Sequence, residues 1–157
     1  MKTIYSTITL GLIVGLVLSF GNAMAAGTST TSSSKPSMSP EFKAGKKAVK
    51  EGDFQSALRH LNKANEKNPK NADINNLLGY SYRKLGDTDK AFEHYHIALQ
   101  INPKHRGANE YLGELYLETN QLGKAEERLQ VLDEVCLWGC EEYDDLKEAI
   151  EKYKQRK

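Results

Sequence analysis

Three glycines, Gly45, Gly79 and Gly113, stand 34 residues apart in this 157-residue chain. Ala57, Ala91 and Ala125 keep the same step, as do Pro69 and Pro103, Ala64 and Ala98, and Gly52 and Gly86. A fixed period of this length marks a stacked array whose units cannot bury their apolar faces alone. The register also says what each unit is. In the middle unit Leu77, Leu78, Tyr82 and Leu85 fall at helical spacing, which predicts a helix over 75–84. Gly86 permits the turn that follows, and Asp87 or Thr88 can cap a second helix. That helix, over 89–100, turns Ala91, Phe92, Tyr95, Ala98 and Leu99 inward. Asn102-Pro103 ends it, because proline disfavours helix at the residue before it. Gly79 and Ala91 are small where the two helices of a hairpin must approach closely.

A unit of this kind resembles the tetratricopeptide repeat (TPR), whose pattern is W-x2-L-G-x2-Y, then A-x3-F, then P. The second unit matches with Leu78, Gly79, Tyr82, Ala91 and Pro103, and Tyr95 stands in the Phe place. The third matches with Leu112, Gly113, Tyr116 and Ala125. The first is looser, with Ala44, Gly45, Ala48, Ala57, Leu61 and Pro69. Glu41, Asn75 and Asn109 replace the tryptophan. The resemblance covers 39–137 and implies an all-α fold, a right-handed solenoid of three TPR hairpins at about 39–71, 72–105 and 106–137.

The third unit ought to close on a proline near position 137 and instead runs into Cys136-Leu137-Trp138-Gly139-Cys140. Beyond it, within 138–157, Tyr143, Leu146, Ile150 and Tyr153 form one apolar stripe. Acids crowd the start of that segment and Lys152, Lys154, Arg156 and Lys157 its end, the order that suits a helix dipole. It is expected to be a capping helix, since an open last repeat leaves apolar surface in water.

The N-terminus has a different character. Lys2 precedes an apolar run from Ile8 to Phe20, with Ala23 and Ala25 after it, the layout of a secretory signal peptide over 1–25. The run is short for a membrane span, which takes roughly 20 apolar residues. An uncleaved anchor is the competing reading. Cleavage near Ala25 predicts a periplasmic or secreted chain with no stable membrane anchor. A Ser/Thr-rich stretch over 26–38 follows, too poor in apolar residues to offset its ordering entropy, and reads as a flexible linker. Losing the leader removes Lys2 from the 22 basic residues and leaves 21 against 21 acidic ones. Nucleic-acid binding, which draws on a basic excess, is therefore not expected.

The TPR resemblance implies a non-enzymatic scaffold whose first helices line a concave groove for a protein or peptide partner. By position, the groove residues are Phe42, Lys46 and Lys50 in the first repeat and Asn76, Tyr80 and Arg83, with Lys84 beside them, in the second. In the third they are Glu110, Glu114, Leu117 and Glu118. One end is thus basic and the other acidic, which would orient a ligand of complementary charge order. Solvated helix surface is the plain alternative. The basic-and-Asn set with which some family members grip a C-terminal carboxylate is incomplete here. No catalytic set, phosphate loop or cofactor motif stands out, so neither an enzyme nor a cofactor is expected. Three repeats are near the minimum for a stable array, which leaves self-association through a repeat end open.

Cys136 and Cys140 are the chain's two cysteines. Outside the cytoplasm such a pair is most simply a disulfide, here one that staples the turn into the capping helix. Two alternatives stay open: a thiolate pair for Cu(I), and a redox-active disulfide. These define a second function class, a thiol-dependent metal or redox protein, although C-x3-C lacks the thioredoxin-like C-x-x-C spacing. The Leu137-Trp138 tip beside acids also has the character of a docking anchor. His94 and His96, two apart on a helix, do not share a face. His60 and His94 occupy equivalent places on outward second helices and read as solvated surface, so no metal site is expected.

Overall fold

The computed structural model describes residues 38–156. The expected signal peptide lies outside the described residues, as does the expected linker except for Met38. Seven α-helices and no strands occur among the described residues. They are α1 (Pro40–Lys50), α2 (Phe54–Lys67), α3 (Ala72–Lys84), α4 (Thr88–Ile101), α5 (Arg106–Glu118), α6 (Leu122–Val135) and α7 (Glu141–Gln155). The first six pair as three hairpins, α1 with α2, α3 with α4 and α5 with α6, and α7 packs on both helices of the last. None is long and apolar enough to cross a membrane.

Side chains set the helix starts. Ser39, Asp53, Asn71 and Asp87 each accept the N–H three residues on, at 3.1, 2.9, 3.0 and 3.2 Å. His105 does the same through Nδ1 to the Ala108 N–H at 3.0 Å. A cap of this kind contributes about 1 kcal/mol. Capping by Asn71 explains why α3 begins at Ala72, three residues before the start that apolar spacing predicts. Asp87, not Thr88, is the cap of α4, so Thr88 is its first helical residue and the helix runs on through Ile101. Leu85, at helical spacing with Leu78 and Tyr82, caps the end of α3 and is 40% exposed.

Inside each hairpin the turn needs a left-handed residue. Gly52 (φ 75°), Gly86 (φ 82°) and Asn120 (φ 59°) fill that place at the 34-residue step. Asparagine tolerates that conformation better than other residues with a side chain. Close approach explains the helical glycines. A Cβ on Gly45 or Gly79 would sit 2.7 Å from Leu61 or Tyr95 of the partner helix, which are fully buried.

The tryptophan places taken by Asn75 and Asn109 have a definite role. Asn75 Nδ2 donates to the carbonyl oxygens of Pro69 and Asn71 at 3.2 and 3.0 Å. Asn109 Nδ2 donates to those of Pro103 and His105 at 3.1 and 3.0 Å. A buried amide therefore satisfies the proline turn between successive hairpins, where unpaired carbonyls would be costly.

The interior divides into two apolar clusters. One holds Phe42, Ala48, Ala57, Leu61, Ala64, Ile74 and Leu78, from α1 to α3. The other runs from Ala91 and Tyr95 through α5 and α6 to Leu146 and Ile150 of α7. Tyr82 packs against both. Leu146 fills the space over Gly113, where a Cβ would approach it to 2.5 Å. Arg106 Nε lies 3.5 Å from Glu142, Tyr153 donates to Asn120 Oδ1 at 3.1 Å, and Lys154 pairs with Glu126 at 2.6 Å. These contacts run α7 parallel to α5 and antiparallel to α6, the course of a first helix in a fourth repeat.

Candidate partner-binding groove

The 34-residue step lays the first-helix positions out as rows across α1, α3 and α5. Phe42, Asn76 and Glu110 make the deepest row, all buried at 6–7% exposure. In the next row Lys46 is exposed with Nζ 5.8 Å from the Phe42 ring centre, Tyr80 is half-buried, and Glu114 is partly buried. Lys50, Lys84 and Glu118 form the outermost row, all exposed. Tyr80 sits between Phe54 and Tyr111, with ring centres 5.8 and 4.9 Å away and Lys84 Nζ at 5.8 Å.

Arg83 ties α3 to α5. Its guanidinium bonds Glu114 through Nη1, and Glu118 through Nη2 at 2.6 Å and Nε at 3.1 Å. Burial disfavours its charge, but hydrogen bonds and attraction from the two carboxylates more than reverse this, so its pKa rises and the group stays a cation. The basic-to-acidic order along the face is therefore partly spent internally: Glu114 and Glu118 already hold a cation of the chain.

Arg83 and its two carboxylate partners open onto a cleft of about 360 Å³. Arg83, Glu114, Leu117 and Glu118 form one side. Asp145, Glu148, Ala149, Lys152 and Tyr153 of α7, with Arg156 at its C-cap, form the other. The structure thus gathers four of the expected groove residues in the cleft and leaves Phe42, Lys46 and Lys50 on α1, Asn76 and Tyr80 on α3, and Glu110 on α5 outside its lining. The α7 wall was not legible from the repeat pattern, because α7 has no repeat register to carry a position across. Its signal was weaker: the polar flank of the apolar stripe, with Asp145, Lys152 and Arg156.

Glu110 lies under the N-terminal part of α7. Burial raises its pKa to about 8, and Glu114, Asp145, Glu142 and Glu141 push it in the same direction. Burial, then Glu110, raises the Tyr111 hydroxyl to about 12.

Cys136 and Cys140 form a disulfide with Cα atoms 5.6 Å apart, linking the C-cap of α6 to the N-cap of α7. Gly139 takes φ 84° and donates its N–H to the Cys136 carbonyl at 2.8 Å. Leu137 and Trp138 project from this closed turn, 80% and 99% exposed. His94 departs from the solvated reading. It is half-buried, its Nδ1 lies 3.1 Å from Asn75 Oδ1, and it stacks on Tyr82 at 5.4 Å. Burial lowers its pKa.

Two family models, both described as tetratricopeptide repeat, match residues 42–106 and 82–135. No curated protein sequence matches the chain. Among solved structures, the fold is similar to the TPR2B domain of yeast Sti1 in its pHsp70 complex, at 16% identity and TM-score 0.66. That alignment covers 74% of this chain and 95% of the other. It is similar also to a tetratricopeptide repeat protein from Parabacteroides merdae, at 27% identity and TM-score 0.61, over 71% of this chain and 43% of that one. A third is the Yersinia enterocolitica type III secretion chaperone SycD, solved with a peptide of the translocator YopD. There the identity is 16% and the TM-score 0.63, over 74% of this chain and 91% of the other.

Proposed function

Since the chain belongs to the tetratricopeptide repeat family, we propose that it is a non-enzymatic extracytoplasmic scaffold holding a protein or peptide partner along its concave face. The observation that carries this reading is the cleft between Arg83, Glu114 and Leu117 on one side and α7 on the other. Its floor and walls come from four separate turns of three helices, which suits an extended chain better than a small molecule. The similar folds support it too, since two of the three named above were solved with a peptide or chaperone-derived ligand in hand. Residues 1–25 carry the layout of an export signal, and the disulfide is the form expected of a cysteine pair outside the cytoplasm.

A photocrosslinking amino acid placed at Tyr80 on the groove face and, separately, at Lys63 on the outer helix tests the scaffold. Expressed in the native host, the Tyr80 position should give a discrete crosslinked band and the Lys63 position none. Equal labelling from both sides, or no band from either, would sink the groove reading. Intact mass of the exported protein checks the compartment: loss of the first 25 residues and no alkylation before reduction are expected.

A further inference from the structure

We propose that the Leu137-Trp138 turn is a second docking element, which inserts into an apolar pocket of a partner protein edged with lysine or arginine. The turn contributes no residue to the cleft lining, so it stands or falls apart from the groove reading.

The fold gives these two side chains no task. Trp138 is 99% and Leu137 80% exposed, whereas the other exposed large hydrophobics, Met38, Leu85 and Ile101, reach only 37–40%. Apolar surface left in water contributes nothing to the core. The backbone beneath them is nevertheless held. The disulfide joins the C-cap of α6 to the N-cap of α7, and Gly139 donates its N–H to the Cys136 carbonyl at 2.8 Å. A turn closed in this way has little freedom to lose on binding. Tryptophan is also among the residue types enriched where interfaces draw most of their energy.

Charge says what covers the tip. No Lys or Arg occurs between Arg128 and Lys147. Asp133, Glu134, Glu141 and Asp144 all stand exposed, each within about one helical turn of a bridged cysteine. The ion pairs at this end use Glu126, Glu127 and Glu142 instead, and leave those four without a counter-charge among the described residues. Asp133 and Glu134 lie in the last turn of α6, which holds no basic residue. That is the negative end of the helix dipole, where carboxylates are disfavoured, so the stability of α6 does not account for them. An apolar tip ringed by acids is repelled by an anionic bilayer and by nucleic acid. It complements a basic rim, from which a lysine or arginine can also lie over the indole face.

Trp138 is the chain's one tryptophan, so its fluorescence reads the tip alone. In the full exported chain, relative to free N-acetyltryptophanamide, caesium should quench it at least about threefold better than iodide, as a local negative potential requires. Equal quenching removes the charge argument and overturns the proposal. Its emission maximum should stay unchanged with vesicles of equal parts phosphatidylcholine and phosphatidylglycerol, and from micromolar to millimolar protein. A blue shift with vesicles assigns the tip to a membrane, and one with rising protein concentration to a second copy; either overturns the proposal.

A photocrosslinking amino acid at Leu137, in the native host, tests the partner's chemistry. The expected adduct maps by mass spectrometry to apolar residues of another protein with Lys or Arg beside them. It should vanish with Trp138→Ser, which keeps its circular dichroism spectrum, and fall about threefold or more when Glu134→Gln and Glu141→Gln are combined. No protein adduct, an adduct away from basic residues, or one that survives Trp138→Ser overturns the docking element. Such a Leu137 adduct without one from Tyr80 keeps the turn and removes the groove; the reverse keeps the groove and removes the turn.

Discussion

The two ends of the concave face are built on the same repeat and reach opposite electrostatic solutions. On α1, Lys46 and Lys50 stand in solvent, and Lys47 has only a 3.7 Å contact with Glu51, both side chains being mostly exposed. Across α3, α5 and α7, Arg83 is pinned between two carboxylates, Glu110 is buried, and Arg106 and Lys154 reach across to other helices. Side-chain charge at equivalent positions is thus a poor guide to local field. What decides is whether the neighbouring helix supplies a counter-charge and excludes water.

The largest expected effect comes from removing the side chain that holds the buried end together. Leu146→Ala should cost roughly 2–5 kcal/mol, the range for emptying a fully buried leucine site. Hydrogen exchange should show protection falling in α5 and α7 before α1 and α2, because stability in stacked repeats is local. Uniform loss along the whole array would mean that the two ends are one cooperative unit.

Breaking the pinned cation should cost less. Arg83→Met strands Glu114 beside Glu118 and is expected to lower urea stability by about 1–2 kcal/mol, moderated because Glu118 is half-exposed. Lys47→Ala at the open end should stay within about 0.5 kcal/mol. Similar losses from the two would erase the contrast.

Proton linkage sharpens it further. The folded chain keeps a proton on Glu110 that the unfolded chain has released, so stability should fall as pH rises from about 4.5 toward about 8. Glu110→Gln should flatten that slope in urea midpoints taken between pH 5 and 8. His94 acts the other way. Burial lowers its pKa below the ordinary 6.5, so the unfolded chain protonates first and stability should drop as pH falls through that range. His94→Gln should remove that component alone.

Least should follow at the stapled turn. Trp138→Ala is expected to leave the unfolding midpoint unchanged, since the side chain is 99% exposed. Reduction of Cys136–Cys140 should cost no more than about 2 kcal/mol, the loop-entropy value for so short a ring.

Much of the fold could be read directly. A repeated glycine is a statement about helix approach, and Gly45, Gly79 and Gly113 each meet a large buried side chain. The third partner, Leu146, comes from α7 and not from the same hairpin, which the period has no means of announcing. Asn120 carries the turn conformation of Gly52 and Gly86, but a search for glycine alone passes over it. Asn75 and Asn109 read as replacements for tryptophan, while their bonding to the proline turns becomes visible only when residues six apart in the chain are brought together. The groove residues were placed by position. Their state was not, since Arg83 finds its partners 31 and 35 residues away and Glu110 finds none.

Six of the ten residues lining the cleft come from α7 and its C-cap, Arg156. A ribosome delivers that helix after the other six. The cleft wall is therefore missing until synthesis has carried the chain at least to Arg156. A nascent or truncated chain of six helices would keep its hairpins and have only half of the cleft.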